Sequence, residues 1–305
     1  MSIIQDIRDT FNRRDNALNQ LIVLNVVVFG VVVLLYAIAF LSRSQQPGGW
    51  YEVFIRQLQL SANLRTLAFH PWTILTYAFV HQSPFHILFN MLNLYYFGQI
   101  IREYLGDRRL ISIYVLGALA GAVAFLLAYN LLPVLQPGAA AGQSVIGASA
   151  AVIAVVVAAA TLLPNYTFML FLFGPVKIKW IAAALVFISI AAINQGNTGG
   201  EITHIGGALL GFVFIKMINL GRDLGRPVEV VLDWFSRVAN PKSSMRVTHR
   251  QPVATSARGA ASPKGNAAPA ADQDEIDLIL DKISRSGYES LSKDEKQKLF
   301  RASQQ

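Results

Sequence analysis

Residues 144–164 read SVIGASAAVIAVVVAAATLLP, and this stretch decides how the rest of the chain is understood. Residues 150–163 carry no charge and Pro164 stops the run, which predicts a short apolar helix. At 1.5 Å per residue the helix is roughly 21 Å long, short of the ~30 Å hydrocarbon core of a bilayer. Ser149 stands at its mouth among small residues. A serine in an apolar segment ordinarily bonds back to a carbonyl one turn earlier. With Pro164 at one membrane face, however, Ser149 lies about 9 Å below the other. A hydroxyl has a use at that depth only where water reaches it. The preceding residues 133–147 are uncharged and rich in Gly, Pro, Ala and Gln. That composition suits a loop dipping into a protein-lined cavity, where irregular backbone is tolerated.

The composition points the same way. Of 305 residues, 53% are hydrophobic and 14% charged, with a mean hydropathy of +0.43. Soluble domains are rarely so apolar and so weakly charged, and the excess is gathered in blocks. The chain is expected to be an all-α, multi-pass membrane protein. Its net charge of +8 borders apolar segments, so it suits cytoplasmic flanks against anionic lipid rather than nucleic acid. There is no cysteine, which excludes disulfides, thiolate metal sites and a cysteine nucleophile.

Working outward, residues 1–20 form a polar N-terminal segment and 21–41 a first span. The acid-bearing leader and the length of the apolar run set it apart from a cleaved signal peptide. Residues 42–83 form a long connection in which Trp50, Phe54 and Leu58 recur every fourth position. This predicts an interfacial amphipathic helix anchored by Trp50 and Tyr51. Further spans are expected at 85–101, 110–132, the Ser149 helix, 178–193 and 202–220, which makes six. Arg102, Arg108 and Arg109, then Lys177 and Lys179, then Lys216, Arg222 and Arg226 mark alternate loops. Both termini are therefore expected in the cytoplasm. Residues 221–238 predict a juxtamembrane amphipathic helix, 239–271 a disordered linker, and 272–305 a small two-helix tail. In the tail, Ile276, Ile279, Leu280 and Ile283 line one face, and Ser292 with Glu295 forms a capping-box pattern.

Polar residues in the spans are the candidates for chemistry. His86, Asn90 and Asn93 form one stripe on span two. His204 opens span six and is followed by Gly207 and Gly211, whose spacing lets helix backbones approach closely. Spans two, four and six all run inward, so His86, Asn90, Ser149 and His204 share one depth near the outer face. His204 could serve as the base a serine needs to attack a carbonyl. Asn90, His86 and the Ser149 backbone N–H could stabilise the resulting oxyanion. No carboxylate lies near in sequence, so a dyad is expected rather than a triad.

At these residues the chain resembles the rhomboid intramembrane serine proteases. The family motifs GxSx, HxxGxxxG and HxxxN read here as Gly147-Ala148-Ser149-Ala150, His204 through Gly207 to Gly211, and His86 through Asn90. The resemblance covers roughly residues 21–220. It implies a six-helix bundle with Ser149 as nucleophile, His204 as general base, and His86 and Asn90 as partners of the Ser149 N–H in the oxyanion hole. Gly147, Gly207 and Gly211 are then packing positions. Substrates would be single-span membrane proteins, cut in or near the transmembrane segment without cofactor or metal. The tail resembles one found on some bacterial rhomboid-like proteins, which implies a bacterial inner (plasma) membrane. The chain carries Ala150 after the serine and Thr73 after Trp72, where many members have Gly and Arg. It carries Ile153 one turn after the serine, where some have Tyr.

Two other functions are compatible with parts of the pattern. A non-catalytic rhomboid-like binder of membrane clients would ordinarily lack the serine or the histidine, and both are present. A transporter using His86 and His204 as a proton relay would want acidic partners inside the spans.

Overall fold

A computed structural model describes residues 16–43, 48–170, 174–239 and 270–302. Helix α1 (Ala17–Leu41) opens the first of two compact units. The long connection then folds into α2 (Trp50–Arg56), strand β1 (Leu60–Ser61), α3 (Leu64–Phe69), α4 (Thr73–Thr76) and a 3-10 turn at Tyr77–Phe79. Next come α5 (Pro84–Leu105), α6 (Asp107–Leu131), α7 (Gln136–Ala140), β2 (Ser144–Val145) and α8 (Ser149–Leu162). A small hairpin, β3 (Thr167–Leu170) and β4 (Gly174–Lys177), leads to α9 (Ile178–Ala191), α10 (Thr198–Asn219) and α11 (Arg226–Ala239). Pro84 starts α5 at a position where its missing N–H is no loss. Gly106, at φ +85°, supplies the left-handed backbone that turns the chain from α5 into α6.

Helices stand at all six expected positions. Three of them, α1, α6 and α10, are long and apolar enough to cross a membrane by length and composition. Helices α8 and α9, at 14 residues each, are shorter. Helix α5 has the length, at 22 residues, but His86, Asn90 and Asn93 dilute its apolar character. Large apolar side chains point outward, among them Leu34 on α1, Phe85 and Phe89 on α5, and Phe187 and Ile188 on α9. Exposure on this scale is what hydrocarbon covers and water does not.

Helix α8 is the enclosed element. From Ala150 to Ala160 all but Val157 are buried, and it packs on α5, α6, α9 and α10. Glycines bring three of these helices into near contact. A Cβ on Gly117 of α6 would lie 2.5 Å from the Ala154 Cβ of α8, and one on Gly206 of α10 would lie 2.6 Å from the Ala120 carbonyl of α6. Buried and part-buried hydrogen bonds tie the long first connection to α6. The Tyr77 hydroxyl donates to the Ala118 carbonyl at 2.7 Å, and the Asn130 amide donates to the Ala62 carbonyl at 3.0 Å. Each satisfies a polar group that would be costly to bury alone.

Two stretches differ from expectation. In α2 the buried residues are Tyr51 and Ile55, while Trp50 is exposed, because α2 docks through Tyr51 on the end of α1. The segment before α8 is not irregular throughout: it contains α7, and β2 pairs antiparallel with β1 through Leu60–Val145 and Ser61–Ser144. That pairing closes the backbone hydrogen bonds that a dipping loop would leave open.

Helix α11 is held to the first turn of α6 by ion pairs. Arg108 reaches Asp233 at 3.0 Å, and Arg109 reaches Asp223, in the turn before α11, at 3.1 Å. The second unit contains α12 (Ala270–Ser286) and α13 (Lys293–Ala302). Ile279 and Leu291 are buried between its helices, while Leu280 is 48% exposed and so lies off the packed face. The Ser292–Glu295 capping box forms in both directions, at 2.7 and 3.3 Å. Residues 1–15 of the N-terminal segment and 240–269 of the expected linker lie outside the described residues.

Candidate active site

Ser149 is the first residue of α8 and is half-buried. At a helix N-terminus its backbone N–H has no intrahelical partner and carries the positive end of the helix dipole. His204 lies in the second turn of α10, with 17% of its side chain exposed. Small residues bring these two turns together. An added Cβ on Gly121 of α6 would lie 2.6 Å from the Ala150 Cβ and 3.0 Å from the Thr203 carbonyl. The neighbours of Ser149 and of His204 in sequence therefore share one glycine. Among the described residues Ser149 Oγ makes no hydrogen bond, and none joins it to His204.

On the other side of Ser149 the chain is pinned by Gly147, whose φ of +128° is one that glycine adopts without strain. The His86 ring lies directly on it, and a Cβ there would come 2.6 Å from His86 Cε1. The Gly147 N–H donates to the Tyr77 carbonyl at 2.9 Å. Asn90 is buried, and its Nδ2 approaches His81 Nε2 at 3.3 Å. The Ala148 N–H donates to the same His81 nitrogen, also at 3.3 Å. An amide has two N–H donors, so this contact leaves Asn90 one donor for a ligand. The stripe on α5 is shorter than expected. Asn93 turns back to the Phe89 carbonyl at 2.8 Å and takes no part in the cluster.

Three residues here were not singled out from sequence. His81 is fully buried and edge-on to His86, with ring centroids 5.2 Å apart. Burial, with His86 beside it, pushes its imidazole down to about 4. A neutral ring with a bare Nε2 is the form that can accept from both Asn90 and Ala148. Glu201 corrects the view that no carboxylate lies near the histidine, because its Oε2 is 3.1 Å from His204 Nδ1. Its three-residue spacing from His204 was the available signal, since such pairs share a helix face. Ser189 on α9 places its hydroxyl 2.9 Å from the same nitrogen, and nothing in the sequence connects it to α10.

A cavity of about 760 Å³ is lined by Tyr36, Tyr51, Glu52, Arg56, Gln82 and Ser144 among others, and by none of the cluster residues themselves. It brings polar surface to residues immediately flanking His81 and β2. No group of three His, Cys, Asp or Glu able to hold a metal occurs among the described residues.

The fold and the site define an α-helical membrane protein with a serine, histidines and an asparagine gathered at the ends of close-packed helices. Residues 68–219 match the rhomboid domain, and the chain belongs to the rhomboid family. Residues 264–305, including the two-helix tail, match a family of unknown function (DUF6576). The chain is 32% identical over 161 residues to RHOMBOID-like protein 12, mitochondrial, of Arabidopsis thaliana, covering 49% of this chain and 47% of that protein. It is 29% identical over 213 residues to the Arabidopsis Rhomboid-like protein 16, chloroplastic, covering 65% and 64%. It is 29% identical over 167 residues to Rhomboid protein 1, mitochondrial, of Saccharomyces cerevisiae, covering 53% and 47%. The matched regions thus span about half to two thirds of the length of these relatives.

Proposed function

We propose that this protein is an intramembrane serine endopeptidase, with Ser149 as nucleophile and His204 as general base. The observation that carries the reading is the shared contact at Gly121, which joins the turn bearing Ser149 to the turn bearing His204. In the reaction, Ser149 Oγ attacks the scissile carbonyl as its proton passes to His204. The oxyanion is met by the Ser149 N–H, the free donor of Asn90 and the His86 imidazole. The proton then passes to the leaving amine, and water releases the acyl group by the same path. The missing Ser149–His204 hydrogen bond is compatible with this scheme, since catalytic contacts are often long before substrate binds.

The same proposal includes six spans with both termini on the cytoplasmic side, and single-span membrane proteins as substrates. It takes residues 21–220 as the catalytic domain, followed by a juxtamembrane helix, a linker and a tail. The bacterial plasma membrane expected from the sequence finds no support in the relatives, whose names place them in mitochondria and a chloroplast. The test is labelling by a fluorophosphonate probe, which should modify the wild type and leave Ser149→Ala unmodified. Equal labelling of both proteins would remove Ser149 as nucleophile.

A further inference from the structure

We propose that Glu201 is a positioning residue for His204, so that the machinery works as a Ser149–His204–Glu201 triad with Ser189 as a brace. This rests on the protease reading above.

The argument begins with what each group can donate. A carboxylate in this contact accepts hydrogen bonds and has none to give. With Glu201 Oε2 3.1 Å from His204 Nδ1, the proton of a neutral ring belongs on Nδ1. That leaves Nε2 bare, and a bare nitrogen is what a general base needs. The Ser189 hydroxyl, 2.9 Å from the same Nδ1, also interacts with Glu201. It can therefore give its proton to the carboxylate and hold it in place from the neighbouring helix. The pair is mostly enclosed, with 15% of the Glu201 side chain and 17% of that of His204 exposed, so solvent screens it weakly.

Glu201 also stands in the first turn of α10, where a carboxylate commonly caps the helix. Here, though, its partners among the described residues are the side chains of His204 and Ser189, with no backbone N–H. The other groups facing His204 carry no negative charge. Among the described residues these are His86 from α5 and Ser189 from α9.

The charge matters when the proton moves. As the Oγ–C bond forms, the Ser149 proton goes to Nε2 and the ring becomes an imidazolium. Glu201 stays ionised and faces that new positive charge across Nδ1–H. When the C–N bond breaks, the proton leaves Nε2 for the amine and the ring is neutral again. The carboxylate thus contributes most in the transition state and little to ground-state binding.

The experiment uses the full-length protein in detergent. Glu201→Gln keeps size and hydrogen bonding but removes the charge. It should lower kcat by about tenfold or more with KM little changed, and Glu201→Asp should recover part of the loss. If Glu201 only supports the helix, Gln serves as well as Glu; kcat within twofold of wild type would overturn the proposal. Nitrogen-15 spectroscopy of labelled histidine gives a readout that needs no activity. Wild-type His204 should carry its proton on Nδ1 at neutral pH, and the Glu201→Ala/Ser189→Ala double variant should shift it toward Nε2. A wild-type ring protonated mainly on Nε2 would overturn the proposal even if Glu201→Gln failed to fold. A wild type that takes no fluorophosphonate and cleaves nothing would instead defeat the protease reading, with the tautomer result still deciding the Glu201 contact.

Discussion

Gly207 of α10 lies against the carbonyl of Ala150 on α8, so closely that a Cβ there would come 2.1 Å from the oxygen. One turn on, Gly211 stands in the same relation to Ala154, at 2.2 Å. The matched steps make the two helices parallel and in register. They also set how far His204, three residues before Gly207, stands from Ser149, one residue before Ala150.

Gly207→Ala should therefore separate the helices as well as crowd them. The obstruction is backbone, which cannot rotate away, so the cost should be ~1–3 kcal/mol. Thermal unfolding in detergent should show a lower Tm, and cleavage by the folded fraction should fall because the two side chains move apart. Unchanged Tm and unchanged cleavage would mean that this contact does not set the site.

Ser149→Ala and His204→Ala should each abolish cleavage of a model single-span substrate, and the double variant should be no worse than either single one. Residues that act as a unit lose their joint effect once. Additive losses, or strong residual cleavage by Ser149→Ala, would exclude a serine mechanism.

Asn90→Ala should lower kcat by roughly 10- to 1000-fold with KM little changed, if its free donor meets the oxyanion. Its other contact is to His81, so some stability should be lost as well, ~1–3 kcal/mol for a buried group left unpaired. A large fall in Tm with normal kcat in the folded fraction would assign Asn90 to structure alone.

His81 links stability to pH. Its imidazole is held down to about 4 in the folded protein, against 6.5 ordinarily. Between those values the unfolded chain binds the proton more readily, so stability falls as pH drops from 6.5 toward 4 and is fully present above 6.5. The loss should be on the order of 3 kcal/mol. Denaturation midpoints measured across this window should show the slope in the wild type and a flatter one in His81→Gln. Equal slopes would place the acid sensitivity elsewhere.

Truncation after Val238 should leave catalysis in detergent nearly unchanged, because the two helices of the tail form a compact unit of their own. Loss of cleavage in a well-folded truncated protein would make the tail part of the working enzyme.

The sequence by itself determined the class of protein, the positions of its helices and the residues worth examining. Apolar runs, basic loop ends and the spacing of His86, Asn90, Ser149 and His204 are one-dimensional signals, and they survive without coordinates because each arises within a single helix. The nearness of Gly207 to His204 was legible for the same reason. Glu201, three residues before His204, carries the same local signal. What only the tertiary structure decided were contacts between elements far apart in the chain. His81 reaches across 67 residues to the Ala148 N–H, and Ser189 meets His204 from another helix. Strand β1 takes up the segment before Ser149. No local periodicity encodes these pairings. They follow from how closely glycine lets α6, α8 and α10 approach, and that distance is set by the packed helices together.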